Sequence, residues 1–337
     1  MREELADALD IPEHDVRVIV PDTGGGFGGK HTGEAAIEAA RLARAAGRPV
    51  KVRWTRQEEM SWAYFRPFAV IDVRAGLRAD GDLEAWEFTN TNSGPMAILT
   101  PYSVANRRIR YQASESPLRT GSYRALAATA NTFAREVAMD ELAAAAGADP
   151  LEFRLRHLSD DRLATVLKTA TDRAGWVPTR ATLDAGRGGQ LRGKGIGVSV
   201  EKGGRVATIA DVTVEPDGRL EVVRLVVAFE CGEIVDPENL RNQVEGATVM
   251  GLGGALFEAV HFESGQILTT TLKEYRVPRM SDVPFIDVVL VDRPDQPPAG
   301  AGETPIVGVA PAISNAIFAA TGVRLRSMPL VPDGRIP

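Results

Sequence analysis

Two Asp-Gly dipeptides constrain the fold of this chain more than any other feature. Asp80-Gly81 and Asp217-Gly218 each lie between alternating apolar runs, residues 70 to 88 and 206 to 228, and Pro216 precedes the second. The pattern predicts a tight antiparallel hairpin in each half, because glycine accepts the left-handed backbone that such turns need. Each half also carries a long helix rich in small residues, Ala127 to Ala146 in the first and Asn239 to Phe257 in the second. Between them the spacing predicts helix over 150 to 174, then a Gly/Arg linker from Asp184 to Lys194. The expected class is α+β: two similar lobes of mixed sheet plus helices, residues 1–184 and 185–337.

Composition narrows the function. Lysine and arginine number 39 against 45 acidic residues, a net charge of -6 over 337 residues, so no excess of positive charge is available for a phosphate backbone. Stretches such as Leu220 to Phe229 are interrupted by Glu221 and Arg224, and no membrane-spanning helix is expected. The opening residues MREELADALD lack a basic region followed by an apolar one, so no signal peptide is expected and the location reads as cytoplasmic. Leu5, Ala8 and Leu9 form a helical stripe with no capping residue before Arg2, which suggests that the chain begins inside a larger protein. Cys231 is the single cysteine, which excludes an internal disulfide framework and a thiolate-held zinc or iron–sulfur site within the chain. His14, His31, His157 and His261 show no metal-ligand spacing; each is expected at the surface or in a hydrogen-bonded turn.

Four segments carry candidate chemistry. The first is PDTGGGFGGKH, Pro21 to His31, between an expected buried strand Val16–Val20 and an expected helix Glu34–Ala46 closed by Gly47; a further strand is expected at Val50–Trp54. Gly24, Gly26 and Gly29 fit GxGxxG, and Gly24, Gly29 and Lys30 fit GxxxxGK. Yet His31 stands where a P-loop needs Ser or Thr, Pro21-Asp22-Thr23 separate the strand from the first glycine, and Arg56 replaces the expected acid. Nucleotide binding is therefore the weakest alternative. Five glycines around Phe27 exceed what a turn needs and suggest a bulky group against the main chain. The second segment, TGSY between Arg119 and Arg124, reads either as an anion clamp or as two solvated loop arginines. The third is the helix with Gly246, Gly251, Gly253 and Gly254, which implies close approach of another backbone or of a ligand. The fourth, Gly300 to Pro305, sets Glu303 among small residues, as a surface turn acid or as a general base with room for a substrate.

Together, GGGFGGK at 24–30, SPLRTGSYRALAATANTFAREVAMDELA at 116–143, QVEGATVMGLGGAL at 243–256, and GAGETP with GVAPAISNAIFAATGVR at 300–324 make the chain recognisable. It resembles the molybdenum-cofactor-binding large subunit of the xanthine oxidase/aldehyde oxidase family of molybdenum hydroxylases. Within that family it is most similar to the isoquinoline-oxidoreductase or nicotinate-dehydrogenase type. The resemblance implies a molybdopterin-binding fold and a molybdenum–molybdopterin cofactor, plain or as the cytosine dinucleotide, whose own dithiolene holds the metal, so that no protein side chain is a metal ligand. It implies that Gly25, Gly26, Phe27, Gly28, Gly29, Arg124 and Gln243 bind this cofactor, that Glu303 is the general base, and that His31 and Leu126 face the substrate. Purine-oxidising members carry glutamate and phenylalanine at the positions of His31 and Leu126, so an N-heteroaromatic or an aldehyde is the implied substrate. The implied reaction is hydroxylation with oxygen from water, its electrons passing to [2Fe-2S] clusters on a small partner subunit, with a flavin (FAD) subunit as a further partner in an oligomeric assembly. The family subunit is longer, and its Gly-Gln-Gly segment lacks a counterpart, so a missing N-terminal half is an expected partner, and a truncated, non-catalytic fragment is the alternative.

Overall fold

The structure, a computed structural model, describes residues 1–22, 24–178, 184–185 and 189–336, without the side chains of 184–185. In chain order the helices are α1 (Arg2–Leu9), α2 (Glu34–Ala46), α3 (Arg56–Trp62), α4 (Ala128–Ala145), α5 (Pro150–His157), α6 (Asp161–Ala174), α7 (Pro237–Leu256) and α8 (Val309–Thr321). The strands are β1 (Val70–Leu77), β2 (Leu83–Thr91), β3 (Asn106–Gln112), β4 (Asp184–Ala185), β5 (Leu191–Glu201), β6 (Gly204–Val214), β7 (Leu220–Glu230), β8 (Phe262–Glu263), β9 (Gln266–Ile267) and β10 (Phe285–Leu290). The helix starts follow local chemistry. Asp149, Asp160 and Asp236 cap α5, α6 and α7 through their carboxylates, and Thr55 with Glu58 forms a capping box on α3. Gly47, Gly175 and Gly322 close α2, α6 and α8 in the left-handed conformation.

Both Asp-Gly hairpins form, joining β1 to β2 and β6 to β7. Each turn is closed by the same pair of bonds, Arg78 N–H to the Asp82 carbonyl and Gly81 N–H to Arg78, and Glu215 N–H to the Arg219 carbonyl and Gly218 N–H to Glu215. Gly81 and Gly218 hold φ of 84° and 82°, the place where a three-residue hairpin turn needs glycine. The first sheet has the order β1-β2-β3, with β3 parallel to β2; the second has the order β10-β7-β6-β5-β4, with β10 parallel to β7. The fold is thus mixed sheet plus helices, as expected.

The chain forms two compact units that interleave in sequence: Met1–Pro67 with Ser116–Arg124 and Val260–Tyr275, and Phe68–Glu115 with Ala125–Ala259 and Arg276–Pro337. The second unit holds both larger sheets and three apolar clusters. One gathers Trp86, Phe88, Tyr102, Phe153 and Leu167; one surrounds Ile313 and Ile317 of α8; one joins Val244 of α7 to Phe229 of β7. A charged network lies buried beside the first cluster. Arg154 bonds Glu136 and Asp140, and Tyr102 donates to Glu136 at 3.0 Å. Burial works against the charge of Arg154, but Glu136, Tyr102 and Asp140 more than offset it, and its pKa is raised.

Several expectations require correction. Val16–Val20 and Val50–Trp54 are not strands: among the described residues neither run pairs with a neighbour, and Ile19 and Val20 stand 74% and 76% exposed. An apolar run without a ladder partner leaves its backbone groups to water and forms no sheet. The Asp184–Lys194 linker is in part strand, because β5 begins at Leu191. Gly193 within it, and Gly195 and Gly197 just beyond it, serve packing. A methyl group at Gly193, Gly195 or Gly197 would overlap the backbone of Ala316, of Ala312 and Ala316, or of Gly308, so α8 lies directly on the strand. His157 is neither a surface nor a turn residue. It is buried at the end of α5, where its Nδ1–H donates to the Phe153 carbonyl at 2.8 Å and its Nε2 accepts from Leu83 N–H at 3.0 Å. One stretch, Thr304–Thr321, is apolar and long enough to cross a membrane by length and composition, contrary to expectation, yet 83% of it is buried inside the protein around α8, as befits a core helix. The lobe boundary expected at residue 184 falls where only 184–185 are described, and these form β4.

Candidate active site

In the first unit the glycine loop folds on itself and against the 116–124 segment. Gly29 N–H bonds the Gly26 carbonyl at 2.8 Å, and Lys30 Nζ donates to the Gly25 carbonyl at 3.0 Å. Gly28 holds φ of 102°, and a Cβ there would meet the Ser122 carbonyl oxygen at 2.6 Å and Tyr123 Cα at 2.9 Å. Gly28 is therefore needed for two backbones to pass each other. Tyr64 reaches over both: its hydroxyl donates to the Gly28 carbonyl, and its ring covers the face of Gly121 where a side chain would stand. Phe27, with φ of 50°, is 53% exposed, and the Arg124 guanidinium lies 5.4 Å from its ring centroid. Arg124 is only 5% exposed, while its carbonyl accepts from Arg66 at 2.9 Å and Arg66 covers the Tyr123 ring at 4.0 Å. The two bracketing arginines thus part ways. Arg119 pairs with Glu34 of α2 and donates to the Trp62 carbonyl at 3.3 Å, which makes it a packing residue. Arg124 stays with Phe27. His31 is exposed just before α2. A Cβ at Gly24 would meet nothing within 4 Å.

In the second unit Leu126, Gln243 and Glu303 sit on three separate elements. Leu126 follows Ala125 into α4, both in the left-handed region at φ of 49° and 66°. Gln243 is exposed in the first half of α7. The four α7 glycines divide between the two anticipated roles. Gly251 faces Val309 at 2.9 Å and the Ile306 carbonyl oxygen at 3.1 Å, and Gly253 faces Glu258 and Pro278; Gly246 and Gly254 face open space. Glu303 ends the Gly300–Gly302 turn, and its carboxylate is ion-paired with Lys202. Open space also lies where Gly300 and Gly302 would carry a Cβ. The next residue, Thr304, is buried and leads through a short helical turn into α8, so the acid is anchored to a core helix while its flank is bare main chain.

Tyr64 and Arg66 in the first unit, and Glu201 and Lys202 in the second, did not stand out in the sequence. Lys202-Gly203 is the two-residue turn between β5 and β6, with both residues at positive φ, 47° and 82°. The Glu-Lys-Gly-Gly run was the available signal. Glu201, on the last residue of β5, is 3% exposed, and burial pushes its carboxyl up to about 7, with Lys202 pulling it down and Glu303 pushing it further up.

Two models of the molybdopterin cofactor-binding domain match the chain, at residues 1–158 and 125–284. Over 99% of its length the chain is 32% identical to a subunit of the nicotinate dehydrogenase of Pseudomonas putida, and over 97% it is 31% identical to the beta subunit of isoquinoline 1-oxidoreductase of Brevundimonas diminuta. It spans 31% and 44% of those two proteins, less than half of either. Among solved structures, quinoline 2-oxidoreductase from Pseudomonas putida 86 matches with a TM-score of 0.88 at 18% identity, covering 99% of this chain and 70% of that one, a likeness of fold.

Proposed function

This chain belongs to the molybdopterin cofactor-binding domain family, and on that premise we propose that it forms part of the catalytic subunit of a molybdenum hydroxylase. Its two cofactor-binding lobes in this reading are residues 1–184 and 185–337. The observation that carries the proposal is Glu303: a carboxylate fixed by Lys202 and by the start of a core helix, beside main chain left uncovered at Gly300 and Gly302.

The residues present fit the cofactor. A Cβ would meet nothing within 4 Å at Gly24 in the first unit, nor at Gly246, Gly300 and Gly302 in the second, so bare main chain is accessible at each of these positions. When bound, the molybdenum–pterin cofactor, plain or as the cytosine dinucleotide, supplies two-electron redox chemistry. The chain's residues bind and orient it: the 25–29 loop with Phe27, the neighbouring Arg124, and Gln243 on α7. Glu303 accepts a proton at its carboxylate during the attack of a water-derived oxygen on an electron-poor carbon, while Lys202 holds the carboxylate in place. In this reading the substrate is a non-purine N-heteroaromatic or an aldehyde, because His31 and Leu126 stand where purine-oxidising members carry glutamate and phenylalanine. The names of the relatives, nicotinate and isoquinoline enzymes, support that choice. Electrons would leave to a [2Fe-2S] partner subunit and from there to a flavin subunit, in a cytoplasmic oligomer.

The test is Glu303→Gln in the chain co-expressed with the remainder of its subunit and the iron–sulfur partner. Turnover of an N-heteroaromatic should fall by about 100-fold or more while molybdenum content holds; retained turnover removes Glu303 from its role. The alternative reading is a fragment that folds but does not load cofactor. Molybdenum content of the chain with and without the rest of the subunit separates the two. Nucleotide binding loses its footing, since Lys30 is engaged with the Gly25 carbonyl and no strand precedes the loop among the described residues.

A further inference from the structure

Glu201 is a buried carboxyl with no direct counter-ion. Its Oε1 is buried without a hydrogen-bond partner. Lys202, its neighbour in sequence, is turned away to Glu303 by the left-handed backbone of the β5–β6 turn. That conformation is set by the two-residue turn, which needs positive φ at both Lys202 and Gly203. The other cation whose field reaches Glu201 is Arg135 of α4. All five of its N–H groups are committed elsewhere: Nε to Glu136, Nη1 to the Ala97 and Leu99 carbonyls, and Nη2 to Thr132 and Ser199. Arg135 attracts Glu201 only at a distance.

The turn that carries Glu201 is locked to the Glu303 segment. Thr304 Oγ1 donates to the Glu201 carbonyl at 2.8 Å, Gly204 faces Thr304 Oγ1 at 3.1 Å from where a Cβ would stand, and Gly203 likewise faces Ala299 at 3.1 Å. Glu201 and Glu303 therefore lie on segments joined through Thr304 and oppose each other electrostatically, while Lys202 is paired with Glu303.

We propose that Glu201 is a positioning residue that remains protonated while Glu303 is charged, so that the two carboxyls share one negative charge and Lys202 compensates it on Glu303. The role rests on Glu303 being the base. A neutral Glu201 leaves Lys202 wholly to Glu303 and keeps that carboxylate oriented. When Glu303 takes up a proton, Glu201 is free to release its own to water, and Lys202 again faces one negative charge. Proton count and charge are conserved: one proton enters at Glu303 and one leaves at Glu201.

The experiment titrates the chain alone, labelled with carbon-13 glutamate, by infrared spectroscopy of the protonated carboxyl band. The Glu201 signal is the one absent in Glu201→Gln. It should persist at pH 6. Its midpoint should fall by about one unit in Glu303→Gln, which removes the opposing charge, and rise by about one unit in Lys202→Met, which removes the attracting one. Both altered side chains are partly exposed, so neither change threatens folding. A Glu201 already ionised at pH 6, or a midpoint unmoved by Glu303→Gln, overturns the proposal. In the loaded assembly, Glu201→Gln should shift the pH profile of kcat and Glu201→Asp restore it; an unshifted profile also overturns it. Turnover by loaded Glu303→Gln would sink the reading of the base, while the infrared titration, which needs no cofactor, decides the coupling separately.

Discussion

The two compact units bury their apolar side chains very unevenly. The second unit has three clusters built on α4 to α8 and the sheets. In the first, Leu5 and Ala6 of α1 are the fully buried apolar residues among those described, while Ile19, Val20, Leu42 and Trp62 are exposed. The first unit is held by polar and aromatic contacts instead: Tyr64 over the loop, Arg66 on Tyr123, Arg119 to Glu34, and the Thr55–Glu58 capping box. Such contacts fix local geometry but contribute little net stability next to apolar burial. The lesson is a division of labour. One unit supplies a self-sufficient core, and the other carries the glycine loop on a frame that buries little of its own.

The strongest way to break this comparison is to make one substitution in both units. Arg154→Leu leaves Glu136 and Asp140 uncompensated in the core of the second unit and should cost about 3–5 kcal/mol in urea unfolding. Arg119→Leu, at an arginine 50% exposed, should cost less than about 1 kcal/mol. Equal losses would show that the first unit depends on its ion pairs as a core does.

Glycines give the next contrast. Gly195→Ala drives a methyl into the Ala312 and Ala316 backbone and should cost about 3 kcal/mol. Gly24→Ala meets nothing within 4 Å and should shift the unfolding midpoint negligibly, yet lower molybdenum content in the assembled enzyme. A stability loss at Gly24 would mean that the loop's glycines serve the fold alone.

Protonation sharpens the comparison further, because Glu201 of the second unit and Glu58 of the first respond to pH with opposite signs. Glu201 is raised from 4.5 to about 7 by burial, so its contribution is fully present below about pH 4.5 and is lost as pH rises through 7. Stability should fall by on the order of 2–3 kcal/mol across that window, and Glu201→Gln should flatten it. Glu58 in the first unit is lowered by the Thr55 backbone and side-chain hydrogen bonds, so its contribution is present above its ordinary value of 4.5 and is lost in acid. The smallest effect belongs there as well: Thr55→Ala should cost about 1 kcal/mol and appear as faster hydrogen exchange in α3 alone.

Much of the fold was legible because it is written in near neighbours. The Asp-Gly hairpins, α2 at Glu34–Ala46 and the small-residue helices α4 and α7 all follow from patterns a few residues long. The same locality misled at Val16–Val20, whose apolar run implies a strand only if a partner strand is present. It misled again at Gly193, where a linker and a helix-contact stripe share one spelling.

By itself the sequence determined the Asp-Gly hairpins, the main helices, the family resemblance and the glycine-flanked acid, since each depends on residue identity and short spacing. Only the tertiary structure decided that Arg124 rather than Arg119 joins Phe27, that His157 is buried, and that Lys202 chooses Glu303 over Glu201. Those outcomes depend on burial and on charges brought close from positions as far apart as 202 and 303, and no local pattern encodes them.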